Sequence, residues 1–243
     1  MLPMITVDNF RLASCQATLF TPDEEISTPK LVGGLLPRWL PTFDADPVLL
    51  PPAEGLPREV PRIILNSTSG SWRCEIAPAR LNLFWRGTKS VSPAVTPTLT
   101  EFFRDATTLL NEYADFLKTR VGRLAAVLSR YASHPSPGLF LAGHFCQERW
   151  MTTPFNRPEN FELHAHKRFS MGEFHVNSWV RNKTGHASIE SDVQPIVLVE
   201  QDINTLQEEA DTRSFDGGDV VRFFSGVSSE FDVILRLYYP SAS

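Results

Sequence analysis

Two stretches of the chain repeat their apolar residues with the period of a helix. Over "TEFFRDATTLLNEYADFLK", Phe102, Ala106, Leu109, Tyr113 and Phe116 recur at spacings of three and four. That stripe predicts a helix over 100–118 with one face in the core. Over "DVVRFFSGVSSEFDVILRLYY", Val220, Phe223, Phe224, Val227, Phe231, Ile234 and Tyr238 do the same. A helix over 219–238 follows, with Asp219 as its N-cap and Pro240 ending the run. Shorter helices are read at 30–40 and 138–150.

Elsewhere the period is two, the signature of strands with one buried face. Strands are predicted at 10–20, 62–66, 72–76, 80–86, 123–131, 161–169, 174–181 and 196–201. In chain order the elements run β-α-β-β-β-α and then β-α-β-β-β-α again. This order predicts an α+β fold with two antiparallel sheets, each backed by a long helix. The units would span 1–119 and 120–243, packed together as one globular body. Seven of the nineteen prolines lie between Pro37 and Pro61. Proline lacks an N–H and fixes φ, so 41–61 reads as an extended connection within the first unit. Val48, Leu49 and Leu50 would pin it to the surface.

The stretch "FELHAHKRFSMGEFHVNSWVR" (161–181) carries the candidate chemistry. Alternation places Phe161, Leu163, Ala165 and Phe169 on one face, and Glu162, His164, His166 and Arg168 on the other. A turn centred on Met171-Gly172 pairs Arg168 with His175, His166 with Asn177, His164 with Trp179 and Glu162 with Arg181. The second face then gathers His164, His166, Arg168, His175, Trp179 and Arg181. Such a face suits an anion or nucleotide: the arginines hold negative charge, Trp179 stacks, and a histidine moves a proton. Strand-borne His-x-His also occurs in metal sites. There a glutamate follows about four residues later, and here those positions hold Ser170 and Met171, so no metal is expected. The remaining reading is a polar sheet face, covered or solvated.

Charge sharpens the picture. Residues 160–186 contain four Lys/Arg against two Asp/Glu, whereas 187–219 contain nine acidic residues and one basic. The acidic stretch is suited to lie against the basic hairpin or a basic partner. Thr205 followed by Glu208 reads as a capping box that starts a short helix.

The chain has 243 residues, 42% of them hydrophobic, and a formal net charge of −5. That bounds a soluble globular protein with no global pull toward nucleic acid or anionic lipid. The three cysteines, Cys15, Cys74 and Cys146, are an odd count without a C-x-x-C spacing. They read as free thiols of a reducing compartment. The opening "MLPMITVDNFRL" shows no basic region followed by an apolar run, and no stretch matches a membrane span, so a cytoplasmic location is expected. G-x-S-x-G, phosphate-loop, G-x-G-x-x-G and H-E-x-x-H patterns are all missing from the sequence. No cofactor and no catalytic residue is assigned.

From about Arg62 onward the chain resembles a sporadically distributed family of uncharacterised bacterial proteins of similar length. "LNLFW", "EFFRDATTLLNEYADFL", "VGRLAAVLSRY" and "VVRFFSGVSSEFDVIL" carry the resemblance. It supplies no catalytic residues. It implies an accessory protein, such as a component of a defence or toxin-linked system. Together these readings favour a non-catalytic protein- or peptide-binding protein, with a homo-oligomer among its forms. Nucleic acid and membrane are disfavoured as partners. The alternative is an anion- or nucleotide-binding protein or hydrolase built on the 161–181 face.

Overall fold

The computed structural model describes residues 3–22, 27–51, 55–87, 96–150, 158–189 and 192–241. Nine strands form one antiparallel sheet: β1 (Arg11–Phe20), β2 (Val48–Leu49), β3 (Ile63–Asn66), β4 (Trp72–Ala77), β5 (Arg80–Arg86), β6 (Arg123–Ser133), β7 (Glu162–Met171), β8 (Phe174–Ile189) and β9 (Asp192–Thr205). Their order across the sheet is β2-β3-β4-β5-β1-β6-β9-β8-β7. The helices are α1 (Thr28–Gly34), α2 (Leu36–Trp39), α3 (Leu99–Leu117), α4 (Pro137–Phe145) and α5 (Gly217–Tyr238).

The expectation of two sheets, each with its own helix, is therefore overturned, although the class is α+β. β1 and β6 would be the exposed edges of two separate sheets. Instead they pair with each other from Arg11↔Tyr131 to Phe20↔Arg123, with a bulge between Leu12 and Ser14. Pairing satisfies both rows of backbone N–H and C=O groups, which would otherwise be left open. The apolar alternation is in phase across the joint: Cys15, Ala17 and Leu19 meet Leu128, Ala126 and Leu124, and all six are buried. The two long helices consequently share one layer. Phe103 of α3 stacks on Phe224 of α5 at 5.6 Å between centroids, and Phe231 of α5 lies 6.2 Å from the same ring.

Every helix packs on the same side of the sheet. Trp72 on β4 stacks on Phe102 of α3 at 5.5 Å. Trp39 of α2 donates its indole N–H to Glu112 of α3 at 2.8 Å. Gln201 on β9 donates to the Phe231 carbonyl of α5 at 2.8 Å, and the Tyr239 hydroxyl donates to Asn182 on β8 at 2.8 Å. Arg130 on β6 is buried beneath α5 and paired with Asp232.

Several local expectations change with this packing. The buried stripe of α3 is Phe102, Phe103, Ala106, Leu110 and Tyr113, while Leu109 is only half-buried. Two adjacent leucines both fit a 3.6 period, and it is Leu110 that is fully buried. The N-cap of α5 is Asp216, whose carboxylate accepts from the Asp219 amide; Asp219 in turn accepts from the Asp216 amide as the third helical residue. Residues 30–40 are broken into α1 and α2. Thr205 ends β9 instead of starting a helix, because its hydroxyl accepts from the buried Leu124 amide at 3.0 Å. A 3-10 turn at 207–209 follows. Within the connection 41–61, β2 is held by its backbone, with Ala45 N–H donating to Asn66 and Leu50 N–H to Arg62. Val48 and Leu49 remain about half exposed, at 46% and 49%.

Candidate functional site

With the α-helices on one side, the other face of the sheet carries no α-helix among the described residues, and the 3-10 turn at 207–209 reaches it through Gln207 and Glu208. Its side chains can be read in rows across the ladders. One row is His166, Trp179, Asp202, Val127, Gln16, Phe84, Arg73 and Asn66. Beside it runs His164, Arg181, Glu200, Ser129, Ser14 and Arg86. On its other side runs Arg168, Asn177, Asn204, Ala125, Thr18, Asn82 and Glu75. Arg123, Phe20 and Arg80 form part of a fourth row. This face is rich in arginine, aromatic rings and side-chain amides.

All six residues singled out from the sequence lie on this face, at its β7–β8 end. The hairpin register differs from the expected one by two residues. The turn is Gly172-Glu173, so His166 pairs with Trp179, His164 with Arg181 and Arg168 with Asn177. Gly172 has φ +59°, and a glycine at the first turn position matches the backbone twist of a two-residue hairpin. A slip of two preserves the side-chain period, so the face assignment survives while every cross-strand partner changes.

The register produces specific contacts. His166 stacks on Trp179 with centroids 4.3 Å apart and planes 18° from parallel. Arg181 lies over the same indole at 5.9 Å. The His166 Nε2 is 3.3 Å from the Asn177 Oδ1, and the His164 Nε2 is 3.3 Å from the Glu162 Oε2. His175 Nδ1 is 3.2 Å from the Ser170 hydroxyl. The three histidines are therefore held in separate contacts. Among the described residues no group of three His, Cys, Asp or Glu side chains comes together as a metal site.

Two cations of the hairpin, Arg168 and Lys183, are met by carboxylates from the acidic stretch. Arg168 donates to Glu208 at 2.6 Å, and Lys183 pairs with Glu200. Glu208 is held below the ordinary carboxylate range, first by its own backbone amide and then by Arg168. Asp202 accepts from Asn204 at 2.9 Å. Arg123 anchors the end of β6: its Nε donates to the Thr205 carbonyl at 3.1 Å, and its guanidinium also reaches Gln207 and Asn204. It lies 4.7 Å from the Phe20 ring centroid. Burial pulls the Arg123 guanidinium below its usual value, against the opposing charges of Asp202 and Glu208.

The amide belt across the centre was not singled out in the sequence. Thr18 donates to Asn82 at 2.9 Å, with Gln16 Nε2 donating to Thr18 at 3.0 Å. Asn177 donates to Asn204 at 3.3 Å. The available signal was polar residues at every second position inside otherwise apolar strands. Compared with known protein families, curated proteins and solved structures, the chain has no significant match. No described helix is long and apolar enough to cross a membrane.

Proposed function

We propose that this chain is a non-catalytic accessory protein that binds another protein through the helix-free face of its sheet. The observation that carries the reading is the one-sided layering, which leaves arginines and aromatic rings such as Arg73, Phe84, Trp179 and Arg181 at partial exposure around a buried belt of Thr18, Asn82 and Asn204. Arginine and aromatic side chains concentrate binding energy at protein interfaces, because they combine large contact area with directional polar groups. The amide belt is largely buried and internally hydrogen-bonded, so it fixes the strands beneath the surface side chains before a partner arrives, which lowers the ordering cost of binding. An accessory role, such as in a defence or toxin-linked system, is part of this proposal and rests on the sequence resemblance alone.

The charge balance disfavours a dedicated anion or nucleotide site at the hairpin. Arg168 and Lys183 are already met by Glu208 and Glu200. A phosphate would have to displace those carboxylates, and at the largely solvated Arg168 an ion pair contributes little net energy.

Affinity purification from the source organism, with stoichiometry by native mass measurement, tests the proposal. The tagged wild type should retain a protein at fixed stoichiometry. The open-face variant Phe84→Ala/Trp179→Ala should lose it while keeping its fold, whereas Leu237→Ser on the solvent side of α5 should keep it. Retention of no partner, together with turnover of a nucleotide or ester by the isolated chain, would overturn the assignment.

A further inference from the structure

β7 is the last strand of the sheet order and has no neighbour on its outer side among the described residues. Its backbone polarity can be worked out. A two-residue turn joins Met171 to Phe174, and the closing pair of such a hairpin exchanges backbone hydrogen bonds. The alternate residues Phe169, Lys167, Ala165 and Leu163 then also bond toward β8. The Thr184 N–H donating to the Phe161 carbonyl at 3.2 Å confirms the phase at the far end. The N–H and C=O groups of Glu162, His164, His166, Arg168 and Ser170 therefore point outward, ready to pair with another strand.

We propose that β7 pairs antiparallel with β7 of a second copy, about a two-fold axis at Ala165, making one continuous eighteen-stranded sheet. Hydrogen bonding requires outward residues to meet outward residues, which restricts a symmetric pairing to a few registers. Centring on Ala165 places Glu162 opposite the partner's Arg168, twice over, and His164 opposite the partner's His166. Centring on His166 instead sets Arg168 against the partner's His164, and centring on His164 sets Arg168 against the partner's Asn160. Only the Ala165 register among the three matches full opposite charges, the arrangement cross-strand pairing rewards, with the exposed Arg168 guanidinium shared between Glu208 of its own chain and the partner's Glu162. On the helix side it brings Phe161 opposite the partner's Phe169, both of them half-buried in the single copy. Lys167 also lies on that side, and an inward charge on an edge strand keeps the edge from pairing indiscriminately. Seven residues per chain, 162–168, overlap in this register. A contact of that length buries on the order of 1,000 Å² or less, the range of transient, concentration-dependent association. The two His166–Trp179–Arg181 clusters would then sit side by side at the centre of the joined face.

Charge exchange tests the register by sedimentation velocity over a wide concentration range, with circular dichroism to verify each fold. The wild type should shift toward twice the monomer mass as concentration rises. Glu162→Arg and Arg168→Glu should each stay monomeric, because each sets like charges against each other in both halves of the interface. A mixture of the two single variants should form a heterodimer, and Glu162→Arg/Arg168→Glu in one chain should restore the homodimer. His166→Pro should abolish association, since it removes an outward N–H and leaves the bonds to β8. A wild type that stays monomeric at the highest concentration would overturn the proposal. So would single variants that still dimerise, or a mixture that does not associate. None of these readouts involves a heterologous partner, so the edge proposal and the partner-binding proposal fail separately.

Discussion

Phe231→Ala probes the joint that makes one layer from two helices. Phe231 is fully buried and lies 6.2 Å from the Phe103 ring of α3. The substitution leaves the backbone carbonyl that accepts from Gln201 in place, so the loss reports packing alone. Removing a fully buried phenylalanine side chain costs about 3–5 kcal/mol, from lost transfer energy plus the cavity left behind. For a chain of this size that corresponds to a melting decrease of about 6–20 °C. Typical domains have about 5–15 kcal/mol in total, so the variant should fold but with a much earlier urea midpoint. Leu109→Ala should cost roughly 1–2 kcal/mol, because its side chain is only partly buried against the core. Leu237→Ala, at a site 77% exposed on the same helix as Phe231, should shift stability by less than about 0.5 kcal/mol. Urea unfolding monitored by far-UV circular dichroism measures all three. A Phe231→Ala cost under about 1 kcal/mol, or equal costs at 109 and 231, would refute the placement of α5 on α3.

Other expectations follow from buried and capping groups. Burial pushes the Cys15 thiol up to about 12 and raises Cys74 well above its ordinary value, while Cys146 is partly exposed. Iodoacetamide at mildly alkaline pH should therefore modify Cys146 alone in the native protein and all three thiols in denaturant, as read by intact mass. Glu101 is held below its ordinary pKa by the Thr98 backbone amide and then the Thr98 hydroxyl. Because the folded-state value is the lower one, this stabilisation is full above the unfolded carboxylate pKa and is lost as pH falls through the folded one. Wild type should melt above Glu101→Gln at neutral pH, and the gap should close as acid protonates Glu101. Gly172→Ala should lower stability by about 1 kcal/mol in the same urea assay, since an L side chain disfavours φ of +59°.

The helices were legible because a 3.6 period over four or more turns excludes a strand, although it left Leu109 and Leu110 undecided, and the faces of the histidine hairpin were legible at period two. What alternation does not encode is which strands become neighbours. The apolar positions of β1 and β6 say only that one face is buried, and Cys15 lies more than a hundred residues from Leu128. Joining the two runs of strands into one sheet is a decision of backbone pairing, invisible to side-chain pattern. The hairpin register moved by two for a related reason: Met171 and Gly172 make as plausible a turn as Gly172 and Glu173, and only the positive φ distinguishes them. Thr205 was misread because β9 extends beyond the apolar run at 196–201, with Asp202 and Asn204 on its polar face. The six candidate residues were found together, but their partners Asp202, Glu200 and Glu208 depend on β9 lying beside β8. The amide belt depends in turn on β1 joining β6.

The central claim is that the helix-free face meets a protein partner. Hydroxyl-radical footprinting of the purified complex against the free chain tests it most directly, with oxidation of Phe84, Trp179 and Tyr131 followed by peptide mass analysis. All three lie on that face at partial exposure. These side chains should be protected in the complex while Leu237 and Val221, exposed on α5, oxidise at unchanged rates. Protection of the α5 residues with unchanged oxidation of Phe84 and Trp179 would contradict it.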